Sequence, residues 1–251
     1  MDLAKNGRLS VALGFVLLFA VYHLPEFFQA LWIAAAFKLL FLLLAFLVVR
    51  LQGYQGYAAY GLPLHKNRVM QLVPGILIGV VFYVVPFTAS VLFGYENVVK
   101  VSPLKAAIQQ LPWLLLLTAV PSLAEDILTR GYLFAHLKKA SAYRWVVISA
   151  VVYLLNHIWR LNDGVAVLSY LFVLGLALGL TLVLTQSLWL AFGIHWGANL
   201  AFECSRSFIA TKTTVTHNGG TWLLAGSWGL LLLLLLVIKQ YSRRVRLANV
   251  Q

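Results

Sequence analysis

The chain has 251 residues, 62% of them hydrophobic and only 10% charged, with a net charge of +12. A soluble domain of this size needs far more charged surface, so the composition excludes one and points to a polytopic integral membrane protein. No compact basic domain with interleaved aromatics accompanies the positive charge, which argues against a nucleic-acid partner. The single cysteine, Cys204, excludes an internal disulfide framework.

Eight spans are predicted, at about 9–24, 30–49, 72–92, 111–136, 143–160, 165–184, 187–204 and 221–238. The first follows a charged stretch, Met1 to Arg8, as in a signal peptide. Tyr22-His23-Leu24-Pro25-Glu26 comes next instead of a small-residue cleavage site, so an uncleaved span is expected. The loop LQGYQGYAAYGLPLHKNR, within 50–71, reads as a segment along the headgroups or as a plain connector with interface aromatics. Pro74 falls near the start of the third span, where its missing N–H costs little, and Pro86 falls inside it, where a kink is expected. Between Phe93 and Gln110 the pattern suggests a short amphipathic helix with Glu96, Lys100 and Lys105 on its polar side. The fourth span, with Pro112 near its start, is long enough to tilt or to project. Leu231 to Val237 reads as a lipid-facing anchor. No domain boundary and no repeat is evident, so residues 1–251 form a single membrane domain.

Basic residues set the expected orientation. With eight spans and both termini in the cytoplasm, Lys5, Arg8, Arg50, Lys66, Arg68, Lys138, Lys139, Arg144, Lys239, Arg243, Arg244 and Arg246 lie inside. Lys100, Lys105, Arg160, Arg206 and Lys212 lie outside. Twelve against five supports the even span count.

The charges within spans are the informative residues. SLAEDILTRGYLF, Ser122 to Phe134, carries Glu125, Asp126 and Arg130 where a charge costs several kcal/mol unless paired or hydrated. Asp126 and Arg130 are i,i+4 and can pair on one face; Glu125 is turned about 100° away and stays available. YLLNHIWR places Asn156 and His157 near the end of the fifth span, with Tyr153 one turn before His157. FGIHWGAN places His195 and Asn199 one turn apart on the seventh, where Gly193 and Gly197 permit close helix approach. A partly desolvated carboxylate can take a proton from water, imidazoles can orient that water or hold a metal, and an amide N–H can stabilise an oxyanion. Each also has a plainer reading. Glu125 can be a bundle contact, Asp126–Arg130 a structural pair, His157 an interfacial histidine, His195 packing, and Asn156 a hydrogen-bonding neighbour. His23, His65, His136 and His217 lie near loops or span ends and are assigned no chemistry; Trp159 and Arg160 read as interface anchors.

These motifs resemble those of the CPBP family of intramembrane proteases, which includes the CAAX prenyl endopeptidases of the Rce1 type and the bacterial Abi proteins. The family's paired glutamates, three residues and arginine correspond to Glu125-Asp126-Ile127-Leu128-Thr129-Arg130. Its aromatic, three residues and histidine correspond to Tyr153 to His157, and its histidine, three residues and asparagine to His195 to Asn199. The resemblance covers about 110–204. Asp126 departs from the second glutamate, and Tyr153 stands where phenylalanine is common.

The resemblance implies an all-α bundle of about eight transmembrane helices around an intramembrane cavity. It implies an endopeptidase cutting a membrane-associated or lipid-anchored polypeptide. Glu125, helped by His157, activates a water; His195 and Asn199 position it or stabilise the oxyanion. Asp126 and Arg130, with Tyr153 and Asn156, hold geometry or contact the substrate. No cofactor is favoured. Zinc or another divalent metal on Glu125, His157 and His195 is the alternative, although the compact His-Glu-x-x-His pattern is missing. The expected partners are the bilayer and a membrane polypeptide, lipidated or a C-terminal sorting anchor. The expected location is a prokaryotic inner membrane, with the site nearer the outer side. Two other functions stay open: a non-catalytic immunity or binding protein, and a proton-coupled transporter, which would want an inverted repeat or a conduction path.

Overall fold

The computed structural model describes residues 7–214 and 218–248. Lys5 and His217 lie outside that range, as do the side chains of Arg243, Arg244 and Arg246. The helices are α1 (Gly7–His23), α2 (Leu31–Leu51), the single turn α3 (Lys66–Val69), α4 (Leu72–Leu92), α5 (Leu104–Asp126), α6 (Tyr132–His136), α7 (Ala142–Asn156), α8 (Val165–Thr185), α9 (Leu188–Phe208) and α10 (Gly219–Ala248). Two strands, β1 (Glu96–Val101) and β2 (Ile209–Thr213), pair antiparallel.

Among the described residues six stretches are long and apolar enough to cross a bilayer: Gly7–Phe27, Leu31–Leu51, Lys66–Leu92, Leu104–His136, Val165–Thr185 and Gly219–Tyr241. The two remaining major helices are α7, of only 15 residues, and α9, which carries His195, Asn199, Glu203 and Arg206. The bundle is turned out toward lipid. Leu39, Leu77, Val81 and Leu233 are exposed, whereas Tyr60, Tyr132, Tyr153 and Trp228 are buried with their polar tips inside. The chain is an integral membrane protein.

Glycine brings α4 and α9 into backbone contact. A Cβ on Gly75 would lie 2.7 Å from the Leu190 carbonyl oxygen, and one on Gly193 would lie 2.6 Å from that of Leu72. Gly79 and Gly197 are tighter still, against the carbonyls of Ile194 and Ile76. Such small-residue faces let helices associate in lipid, where no hydrophobic force pulls them together. A Gly197→Ala variant is therefore expected to lose about 1–3 kcal/mol. Gly226→Ala, with open space around it, is expected to lose little. Thermal unfolding of the two variants in detergent checks the difference.

Two expectations are corrected. The stretch after Phe93 does not form an amphipathic helix. Gly94, at φ +73°, ends the turn after α4, and Glu96–Val101 pairs with Ile209–Thr213 in register Glu96 to Thr213, with a bulge between Val98 and Lys100. Val98 faces Thr211 and Val101 faces Ile209, a ladder that suits β-branched residues, while Val99 falls in the bulge. As the fourth long helix begins at Leu104, Pro112 lies in its interior, together with Pro121. The loop after α2 is packed on the bundle. Its turn at Gly56–Tyr60 folds inward, with Tyr60 donating to the Ala45 carbonyl at 2.7 Å and Tyr57 to that of Leu42 at 2.7 Å. Tyr60 then packs on Gly131, where a Cβ would come within 2.9 Å of its own. Pro86 sits within the unbroken α4.

Candidate active site

Glu125 lies between two disturbances of helical geometry. Pro121 cannot donate to the Leu117 carbonyl four residues back. After Asp126 the backbone widens into a π turn, Ile127–Gly131, before α6 resumes. Such turns free backbone acceptors and recur at functional sites. Here the Thr129 hydroxyl donates to the Glu125 carbonyl at 2.8 Å, and Ser149 on α7 donates to the Thr129 carbonyl at 3.1 Å.

The structure brings the residues singled out in the sequence to one place. Glu125 Oε1 accepts from Asn156 Nδ2 at 3.1 Å and lies 3.5 Å from His157 Nε2; Oε2 lies 3.7 Å from His195 Nε2. Helix α7 ends at Asn156, four residues before the expected end of the fifth span at 160, and His157 caps it. That early stop lets the His157 ring fold back toward Glu125 while Nδ1 donates to the Tyr153 carbonyl at 2.9 Å. Tyr153 is buried, its ring 4.8 Å from that of His157 and 5.8 Å from that of His195.

Asp126 and Arg130, both fully buried, form an ion pair. The guanidinium sits 4.4 Å above the Tyr153 ring and donates to Thr129 Oγ1 at 3.2 Å. Asp126 Oδ1 also lies 3.2 Å from His195 Nδ1. A carboxylate there favours the proton on Nδ1 and leaves Nε2 of His195, 3.7 Å from Glu125, as an acceptor. Asn199 Nδ2 donates to that nitrogen at 3.1 Å and to Ser122 Oγ at 2.9 Å. Both of its hydrogens are thus engaged, and an oxyanion would have to displace one of these acceptors.

Sequence reasoning passed over two residues. His23, at the end of α1, is buried, its Nε2 3.1 Å from Asn156 Oδ1 and its Nδ1 2.8 Å from Glu26 Oε2. Glu26 also accepts from Trp159 Nε1 at 2.5 Å, so Trp159 does more than anchor the interface. The available signal was a His/Glu pair at i,i+3 astride a helix-ending proline.

Glu125, His157, His195 and Asn199 line a cavity of about 580 Å³. Its rim includes Leu31, Arg160, Glu203 and Thr221, which lie at the helix ends nearest the strands, so it opens toward that end. A second hollow of about 330 Å³ beneath the strands shares Tyr83, Phe202, Thr221 and Leu224 with it. Among the described residues no three His, Cys, Asp or Glu side chains converge as a metal ion requires.

Fold and site define a polytopic membrane protein whose bundle encloses one carboxylate flanked by two imidazoles. The family model for Rce1-like type II CAAX prenyl endopeptidases matches residues 107–201, which hold all three motifs, so this segment is similar to that family, as the motifs indicated. Comparisons with curated proteins and with solved structures gave no match.

Proposed function

We propose that the protein is an intramembrane endopeptidase that hydrolyses a peptide bond in a membrane-associated or lipid-anchored polypeptide, using a water activated by Glu125. The observation that carries this reading is a single carboxylate within 3.7 Å of two imidazole nitrogens at the wall of a cavity large enough for a peptide segment. The Rce1-like match over residues 107–201 supports it.

In this mechanism a water sits between Glu125 and the imidazole pair. Glu125 takes one of its protons, the oxygen attacks the scissile carbonyl carbon, and the carbonyl electrons move onto oxygen. His157, when protonated, or an Asn199 N–H released from its present acceptor stabilises that oxyanion. The C–N bond then breaks, and the proton held by Glu125 passes to the leaving nitrogen. Asp126 and Arg130 hold the His195 ring and the π turn in place.

The strand-side mouth, together with the twelve-to-five charge asymmetry, favours access from the non-cytoplasmic face of a prokaryotic inner membrane and hence an exported or lipid-anchored chain. Transport is less well supported. The polar line Glu26–His23–Asn156–Glu125 is interrupted by a primary amide, which does not pass protons on as an acid or an imidazole does.

The test uses the full chain in detergent with two probes, a quenched farnesylated CaaX-type peptide and a single-span polypeptide reporter. Cleavage of either, absent in Glu125→Ala, supports the reading. No cleavage of either by the parent overturns it in favour of a non-catalytic binding or immunity role. Metal independence is part of the proposal, so incubation with EDTA or 1,10-phenanthroline is expected to leave the rate within about twofold of the untreated protein. A loss restored by zinc overturns that part.

A further inference from the structure

We infer that His23 and Glu26 of the first span are positioning residues for the Glu125 carboxylate, acting through Asn156. This rests on the endopeptidase reading above.

Donor and acceptor roles along the line follow from its two ends. Glu125 Oε1 offers only lone pairs, so Asn156 presents its amide hydrogens to it and its oxygen to His23. That oxygen accepts, so His23 Nε2 carries a proton. At the other end Glu26 Oε2 accepts from Trp159 Nε1–H and faces His23 Nδ1 at 2.8 Å. The Glu26 carboxylate thus holds the His23 ring, and the ring's Nε2 orients the Asn156 amide toward Glu125. Charge-assisted bonds of this kind are stronger and better aligned than neutral ones. They leave Asn156 one orientation, fix Glu125 Oε1, and turn Oε2 to the cavity and His195.

The surroundings fit a held geometry. His23 and Asn156 are each about 5% exposed. The His23 ring lies 4.3 Å from that of Phe19 and 5.0 Å from that of Tyr22. Lys38, whose ammonium donates to the Tyr22 carbonyl at 3.0 Å, is the nearby cation of α2. The line joins α1, α7 and α5 across the bundle, although α1 lies outside the matched segment 107–201.

The test measures kcat and KM on whichever probe the parent cuts. His23→Phe keeps the ring packing and removes both ring nitrogens. Its kcat is expected to fall roughly 10- to 100-fold with KM within about twofold, the cost of a misplaced catalytic group. His23→Gln keeps a donor at the Nε2 position and is expected to recover at least about tenfold of that loss. The pair His23→Phe/Asn156→Ala is expected to be no slower than Asn156→Ala alone, as for groups acting in one chain. Unfolding temperatures are taken alongside, and His23→Gln supplies the reading if His23→Phe does not fold. A parent-like kcat in His23→Phe, no recovery with Gln, or multiplicative losses in the double variant overturns the inference. An active Glu125→Ala overturns instead the reading on which it rests.

Discussion

Glu125→Gln is expected to cut either probe about 10²- to 10⁴-fold more slowly than the parent, the range for removing a positioned general base. The amide is nearly the same size as the carboxylate and can still accept from Asn156, so the bundle should fold as before. It cannot take a proton from water. Were Glu125 only a bundle contact, this isosteric change would leave cleavage intact. His195→Ala is expected to fall less, by about 10²-fold, because that ring orients the water rather than receiving its proton. Rates within threefold of the parent for both variants would sink the assigned chemistry.

Arg130→Met is expected to be the most destabilising change in the site. It leaves Asp126, which is fully buried, without the cation beside it. Breaking a buried pair from one side costs about 3–5 kcal/mol, whereas replacing both partners with apolar residues is often close to neutral. Asp126→Leu/Arg130→Met is therefore expected to regain much of the thermal stability lost by Arg130→Met. It should not regain cleavage, because His195 Nδ1 loses the carboxylate 3.2 Å away. Thermal unfolding in detergent, read beside the rate, separates the two roles. If Arg130→Met unfolds at the parent temperature, the pair does not hold the π turn.

Much of the fold was legible because lipid imposes length and apolarity on every span, and all eight long helices lie close to the expected stretches. Glu125, Asp126, Arg130, His157 and His195 were legible for the converse reason: polar groups in apolar runs need a cause. What escaped was whatever depends on partners distant in sequence. Glu96–Val101 becomes a strand only because Ile209–Thr213, more than a hundred residues later, is there to pair. His23 sits at a span end, where a histidine is unexceptional until α7 brings Asn156 to it. The inward fold of Tyr60 likewise depends on the carbonyl of Ala45 and on the bare face of Gly131. Local periodicity carries none of these facts.

The short strand pair has a mechanical consequence. β1 follows α4 and precedes α5; β2 follows α9 and precedes α10. The ladder therefore clasps two helical hairpins at the end where the cavity opens. Splaying any of those four helices there means unzipping backbone hydrogen bonds, while α4 and α9 are already locked along their glycine faces. The half of the bundle that carries Glu125 and His195 thus behaves as one stiff body. A polypeptide that enters the cavity therefore lies, on that side, against a wall that does not yield.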